Sequence, residues 1–220
     1  FRIKTNLPIL TTGNLSGTPI LNLSILLIGT CLASIMGTTG APKNKVKRFM
    51  GSNAERVVRL AKRPVMTIKG SEITEFCRNI ILPLDLEKET KEKVTYAIKF
   101  ARKWGSTIRL ISVVLRDNPI VRNKLIKNLQ QVENFIKNAD LSCTSILLEG
   151  EKKQNLGDFI FEYEKEFDND IIMIMTKKEE LSLSKNISVT ARYIINNSPI
   201  PVMNIRPKER KHITGPTTAF

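Results

Sequence analysis

The residues best suited to chemistry are two glycine clusters near the start of the chain. Gly37-Thr38-Thr39-Gly40 follows an apolar stretch, and Gly51-Ser52-Asn53 opens a helical pattern about ten residues later. Glycine lets a backbone approach a phosphate closely, because no Cβ intervenes. Ser52 is the type of residue that caps a helix, and Glu55 stands three positions on, as in a capping box. The unpaired N–H groups of such a helix start, with the helix dipole behind them, attract anions. Lys43, Lys45, Lys47 and Arg48 lie between the clusters and add positive charge. As a bare pattern the same residues also describe a glycine turn before an ordinary capped helix, and both readings stay open at this point.

No catalytic or metal-binding constellation accompanies them. The one histidine, His212, sits beside Lys211 in a basic tail, with no partner ligand or nucleophile nearby in sequence. Cys31, Cys77 and Cys143 are widely spaced with no CxxC, which argues against zinc or a disulfide framework and suits a reducing cytosol. Asp158, Glu162, Glu164 and Glu166 are expected on the solvated face of a helix, while Met173, Met175 and Met203 fall in apolar runs that read as core.

The charge balance is strongly basic. Against 21 acidic residues stand 35 Lys and Arg in a chain of 220, a formal net charge of +14. The excess is concentrated: Lys43, Lys45, Lys47, Arg48, Arg56, Arg59, Lys62, Arg63 and Lys69 face only Glu55, and Arg206, Lys208, Arg210 and Lys211 form a second cluster. A nucleic-acid groove interleaves aromatics or offers a recognition helix. Phe49 is the one aromatic in the basic stretch, so a solvated or phosphate-facing surface is expected, with nucleic-acid binding through 43–69 as the alternative. Leu21–Met36 is apolar but shorter than the ~20 residues that cross a bilayer. It reads as buried strand material, and no membrane association is expected. The start at Phe1 suits a piece of a longer protein.

The elements that must position these residues follow from periodicity. The short apolar run at 79–84 reads as a strand buried on both faces, and the runs at 107–115, 143–148, 170–175 and 201–205 read as further strands. Amphipathic segments at 88–104, 120–139, 156–167 and 189–196 read as helices, the first of them ended by Gly105. Strict alternation of this kind predicts an α/β fold, an open parallel five-stranded sheet with helices on both faces. In such sheets ligands bind beyond the carboxyl ends of the strands, where the strand order reverses.

The chain also repeats itself. Pro64-Val65-Met66-Thr67-Ile68-Lys69 returns as Pro201-Val202-Met203-Asn204-Ile205-Arg206, each copy after an amphipathic helix and about one domain length apart. Together these motifs resemble the universal stress protein family. Met36-Gly37-Thr38-Thr39-Gly40, Gly51-Ser52-Asn53-Ala54-Glu55-Arg56-Val57-Val58 and Arg63-Pro64-Val65-Met66-Thr67-Ile68 look like the end of one such domain. Asn79–Asp85, with Ala97, Phe100, Ala101 and Gly105 and then Thr107–Val114, is similar to the start of another.

The resemblance implies an adenine nucleotide alpha hydrolase-like fold, a truncated first repeat over 1–70 with 1–35 unassigned, a second domain over 77–207, and a basic tail over 208–220. It further implies a cytoplasmic stress-response module rather than an enzyme, with ATP as the cofactor expected if any is bound. Gly37, Gly40, Gly51, Ser52, Asn53 and, in the second copy, Asp85 are the nucleotide-binding residues it implies. Self-association through the final strands 64–68 and 201–205 follows from the same resemblance, either with each other or with another chain. The spacer between Gly40 and Gly51 is one residue longer than the family's, and the first copy has no opening strand to supply an acidic partner. The matching segment of the second copy, Thr176–Ser188, contains no glycine. Each copy therefore carries half of a nucleotide site. A purely structural association module without nucleotide is the other reading.

Overall fold

The second repeat folds as its pattern dictates. The computed structural model describes residues 34–37, 52–68, 77–86, 90–115, 118–150, 155–176 and 188–206. Within the second repeat, strands β3 (Asn79–Pro83), β4 (Thr107–Val114), β5 (Cys143–Glu149), β6 (Ile171–Met175) and β7 (Val202–Ile205) alternate with helices α2 (Thr90–Trp104), α3 (Pro119–Lys137), α4 (Leu156–Glu166) and α5 (Val189–Asn197). All neighbouring strands of this set are parallel, in the order β7-β6-β3-β4-β5. Helix α2 ends where Gly105 takes φ +66°, a left-handed conformation that glycine adopts without Cβ strain, and the Ser106 amide returns to the Ala101 carbonyl at 3.1 Å.

The sheet has seven strands rather than the five expected. The first repeat contributes β1 (Ser34–Gly37), α1 (Ser52–Leu60) and β2 (Val65–Ile68), and both strands join the same sheet, in the order β1-β2-β7-β6-β3-β4-β5. The reason is hydrogen bonding. With five strands alone, β7 would be an edge with unpaired N–H and C=O groups. Strand β2 covers that edge by pairing antiparallel with β7, while β1 pairs parallel with β2. The tail end of the apolar run at 21–36 thus becomes β1, with Met36 buried.

Period-2 alternation sorts the strand residues onto two faces. Ile80, Leu82, Ile108, Leu110, Ile171 and Met173 pack against Val94, Ala97 and Ala101 of α2 and Leu129 and Ile136 of α3. Ile81, Ile111, Ile172, Ile174, Val202 and Val65 pack against Ala54 and Val58 of α1, Ile160 of α4, and Ala191, Ile194 and Ile195 of α5. Helices therefore cover both faces, with α1 and α5 side by side on one of them. No described helix is long and apolar enough to cross a membrane.

Among the described residues, β1–α1–β2 matches β6–α5–β7 in order and pairing. Strand β1 pairs with β2 as β6 pairs with β7, with Gly37 opposite Ile68 and Met175 opposite Ile205. In the antiparallel β2–β7 pair, Met66 faces Met203, the same position of the repeated motif. A pseudo-twofold axis runs between them.

Candidate nucleotide site

In the second repeat the strand order turns back between β3 and β6, and in open parallel sheets ligands sit in the crevice beyond the carboxyl ends at such a point. Asp85 stands there, exposed, two residues past β3. The backbone that carries it is tied down by three elements. Strand β4 holds it through the Leu84 amide, which donates to the Ile111 carbonyl at 2.7 Å, and through the Ser112 hydroxyl, which donates to the Leu84 carbonyl at 3.0 Å. Helix α3 reaches it from Asn128, whose side-chain amide donates to the Asp85 carbonyl at 3.0 Å. Helix α2 contributes Lys93, whose ammonium donates to the Pro83 carbonyl.

The amphipathic pattern over 88–104 does not by itself single out Lys93. That lysine is buried, and desolvation pushes its pKa below the ordinary 10.5, with the nearby Asp85 charge acting the other way. The signal was present in the spacing: Lys93, Ala97 and Ala101 lie four apart, so Lys93 extends the apolar stripe of α2 toward the end of β3. At the end of β6, the Thr176 amide donates to the Ile205 carbonyl at 2.9 Å. The glycine-free segment that follows, 177–187, lies outside the described residues.

In the first repeat Gly37 ends β1, and a Cβ there would meet nothing within 4 Å among the described residues. Gly40 and Gly51 lie outside the described residues. Ser52 and Asn53 form the first turn of α1, so the crossover from β1 to α1 runs from Gly37 to Ser52, as expected. Glu55 has a further partner: its carboxylate pairs with the Arg192 guanidinium at 2.5 Å.

Gly37 and Asp85 are not brought together. Strands β2, β7 and β6 stand between β1 and β3, and the antiparallel β2–β7 step points the carboxyl end of β1 opposite to that of β3. The two half-sites lie on opposite ends of the sheet.

The Cys77 and Cys143 thiols are both pushed up to about 12, mainly by burial, which keeps them protonated and weakly nucleophilic. The acidic face of α4 is only partly solvated: Glu162 and Glu166 are exposed, but Asp158 accepts the Tyr193 hydroxyl at 2.5 Å, and partial burial raises the Glu164 carboxyl. Among the described residues no group of three His, Cys, Asp or Glu side chains is placed to hold a metal.

Comparison with known proteins gives two different kinds of likeness. A family model described as "Putative citrate transport" matches residues 5–62, about a quarter of the chain. The described part of that stretch is β1, α1 and the start of the turn after it. No curated protein matches the chain in sequence. Solved structures resemble it much more widely. A universal stress protein from Archaeoglobus fulgidus DSM 4304 matches 82% of this chain at 19% identity, with a TM-score of 0.61. The chain spans 62% of the length of that protein. The universal stress protein UspA from Lactobacillus plantarum matches over its whole length, covering 60% of this chain at 16% identity with a TM-score of 0.51. A second Archaeoglobus fulgidus universal stress protein gives a TM-score of 0.50 at 19% identity over 59% of this chain. That smaller share is close to the span of the second repeat. By strand order, by helix placement and by these likenesses, the described residues have the fold of the universal stress proteins.

Proposed function

We propose that this chain is a stress-response module of the universal stress protein type that binds ATP through its first-repeat glycine loop and acts by association rather than catalysis. The observation that carries the reading is the equivalence of β1–α1–β2 with β6–α5–β7. It makes Gly37–Ser52 a strand-to-helix crossover, running from the carboxyl end of a parallel strand to the N-terminus of a helix. This is where backbone N–H groups and the helix dipole favour a phosphate. Lys43, Lys45, Lys47 and Arg48 bring positive charge to the same loop. Gly37, Gly40, Gly51, Ser52 and Asn53 are the residues proposed to hold the phosphates and ribose; Asp85, at the other end of the sheet, would serve a separate and incomplete site. The cytoplasm is the compartment proposed for it.

A second reading is favoured by the β2–β7 pairing: an association module with no nucleotide at all. Calorimetry with ATP on the chain, beside Gly51→Asp and Asp85→Ala variants, separates the two. Micromolar binding abolished by Gly51→Asp and kept by Asp85→Ala supports the first-repeat site. Loss in Asp85→Ala alone moves the site to the second repeat. Absence of binding in all three leaves the association module.

A further inference from the structure

The pseudo-twofold between the repeats is broken by charge at the point where symmetry would bring two equal residues together. Antiparallel pairing places Met66 against its counterpart Met203, with Val65 facing Asn204 and Thr67 facing Val202 on either side, so a position that meets its own counterpart lies on or beside the axis. Glu55 and Arg192 are such counterparts. They are separated by 137 residues, as are Met66 and Met203, which face each other on the axis. Glu55 lies on α1 and Arg192 on α5, the two helices that sit side by side above the β2–β7 junction. Their side chains meet at 2.5 Å.

Below them the strands exchange side-chain bonds almost symmetrically. The Thr67 hydroxyl donates to the Val202 carbonyl at 3.1 Å, and the Asn204 amide donates to the Val65 carbonyl at 3.1 Å and to the Thr67 hydroxyl oxygen at 3.2 Å. Arg206 reaches back to the Arg59 carbonyl at 2.9 Å.

A twofold pairing of β7 and α5 from two copies of the chain would put Arg192 against Arg192, because an isologous interface presents the same patch twice. A pairing of two first repeats would put Glu55 against Glu55. Only the unlike pairing is attractive.

We infer that the Glu55–Arg192 pair makes the β7 edge selective for the chain's own first repeat and against the same edge of a second copy. The hydrogen bonds of the strands supply affinity to any suitable edge, whereas the charges decide which edge is accepted. The inference does not depend on nucleotide binding.

Single charge reversals test it within one chain. Glu55→Arg creates the Arg–Arg contact that a second copy would bring, and Arg192→Glu creates the Glu–Glu contact. The readout is amide hydrogen exchange of the full chain, followed on peptides covering 65–68 and 202–205, with β3 and β4 as internal reference. Each single reversal is expected to speed exchange at β2 and β7 by about tenfold relative to the reference, since an attraction between partly exposed groups is turned into a repulsion. The double reversal, Glu55→Arg with Arg192→Glu, is expected to return to within about threefold of the natural chain. Singles that change exchange by less than about twofold, a double that is as fast as both singles combined, or a rise shared equally by β3 and β4 would each overturn the inference.

Discussion

Gly157 offers a test in which local propensity and tertiary packing point in opposite directions. It lies in the first turn of α4, where the Asn155 side chain caps its amide at 3.2 Å. On helix propensity alone, Gly157→Ala stabilises by up to ~1 kcal/mol. In the fold, however, the new Cβ would stand 2.6 Å from Tyr193 Cδ1 and 2.9 Å from Cε1, well inside van der Waals contact. The ring has little room to retreat. Its hydroxyl is held by Asp158, and its face lies against Phe161 with ring centroids 6.1 Å apart. Either α4 and α5 separate or the Asp158 contact is lost. Overpacking of this kind costs about 1–3 kcal/mol, so after a propensity gain of up to ~1 kcal/mol the net destabilisation is about 0–2 kcal/mol. Urea denaturation of the natural chain, Gly157→Ala, Tyr193→Ala and the double variant measures it. With the ring gone, Gly157→Ala is expected to cost nothing or to stabilise. A Gly157→Ala chain more stable than the natural one, or one with the same effect in both backgrounds, would refute the argument.

Two further predictions rest on polar contacts at the two ends of β3. Burial lowers the Lys93 pKa in the folded chain below its ordinary 10.5, so the unfolded chain holds that proton more tightly; stability should therefore rise as pH climbs through the folded value toward 10.5, and Lys93→Met should remove this component, gaining about 1–3 kcal/mol at neutral pH and progressively less above it, read from chemical denaturation across pH. One oxygen of Asp170 accepts the backbone amides of Arg78 and Asn79 at 2.7 and 2.8 Å and so fixes the entry to β3; Asp170→Ala should cost about 1–2 kcal/mol in urea melts and Asp170→Asn about half as much, because an amide oxygen can still accept both bonds.

Much of this molecule was decided locally. Runs such as Ile80-Ile81-Leu82 and Ile171-Ile172-Met173 are apolar on both faces, and that pattern suits only a strand covered by helices on each side. The alternation with amphipathic helices then fixed the parallel course of β3 to β7, and the Pro-Val-Met motif recurs at the start of β2 and β7. What the chain alone left undecided are contacts between residues more than a hundred positions apart. The edge of β7 had two possible partners, and nothing in Val202–Ile205 says which one takes it. That choice was made by the antiparallel docking of β2, which also raised the strand count to seven and sent Gly37 and Asp85 to opposite ends of the sheet. Glu55 read naturally as part of a helix cap, because sequence shows only neighbours along its own helix; its meeting with Arg192 exists only once α1 and α5 lie together. Periodicity reports which face of an element is buried, but not against what, because burial is a property of one segment and pairing is a property of two.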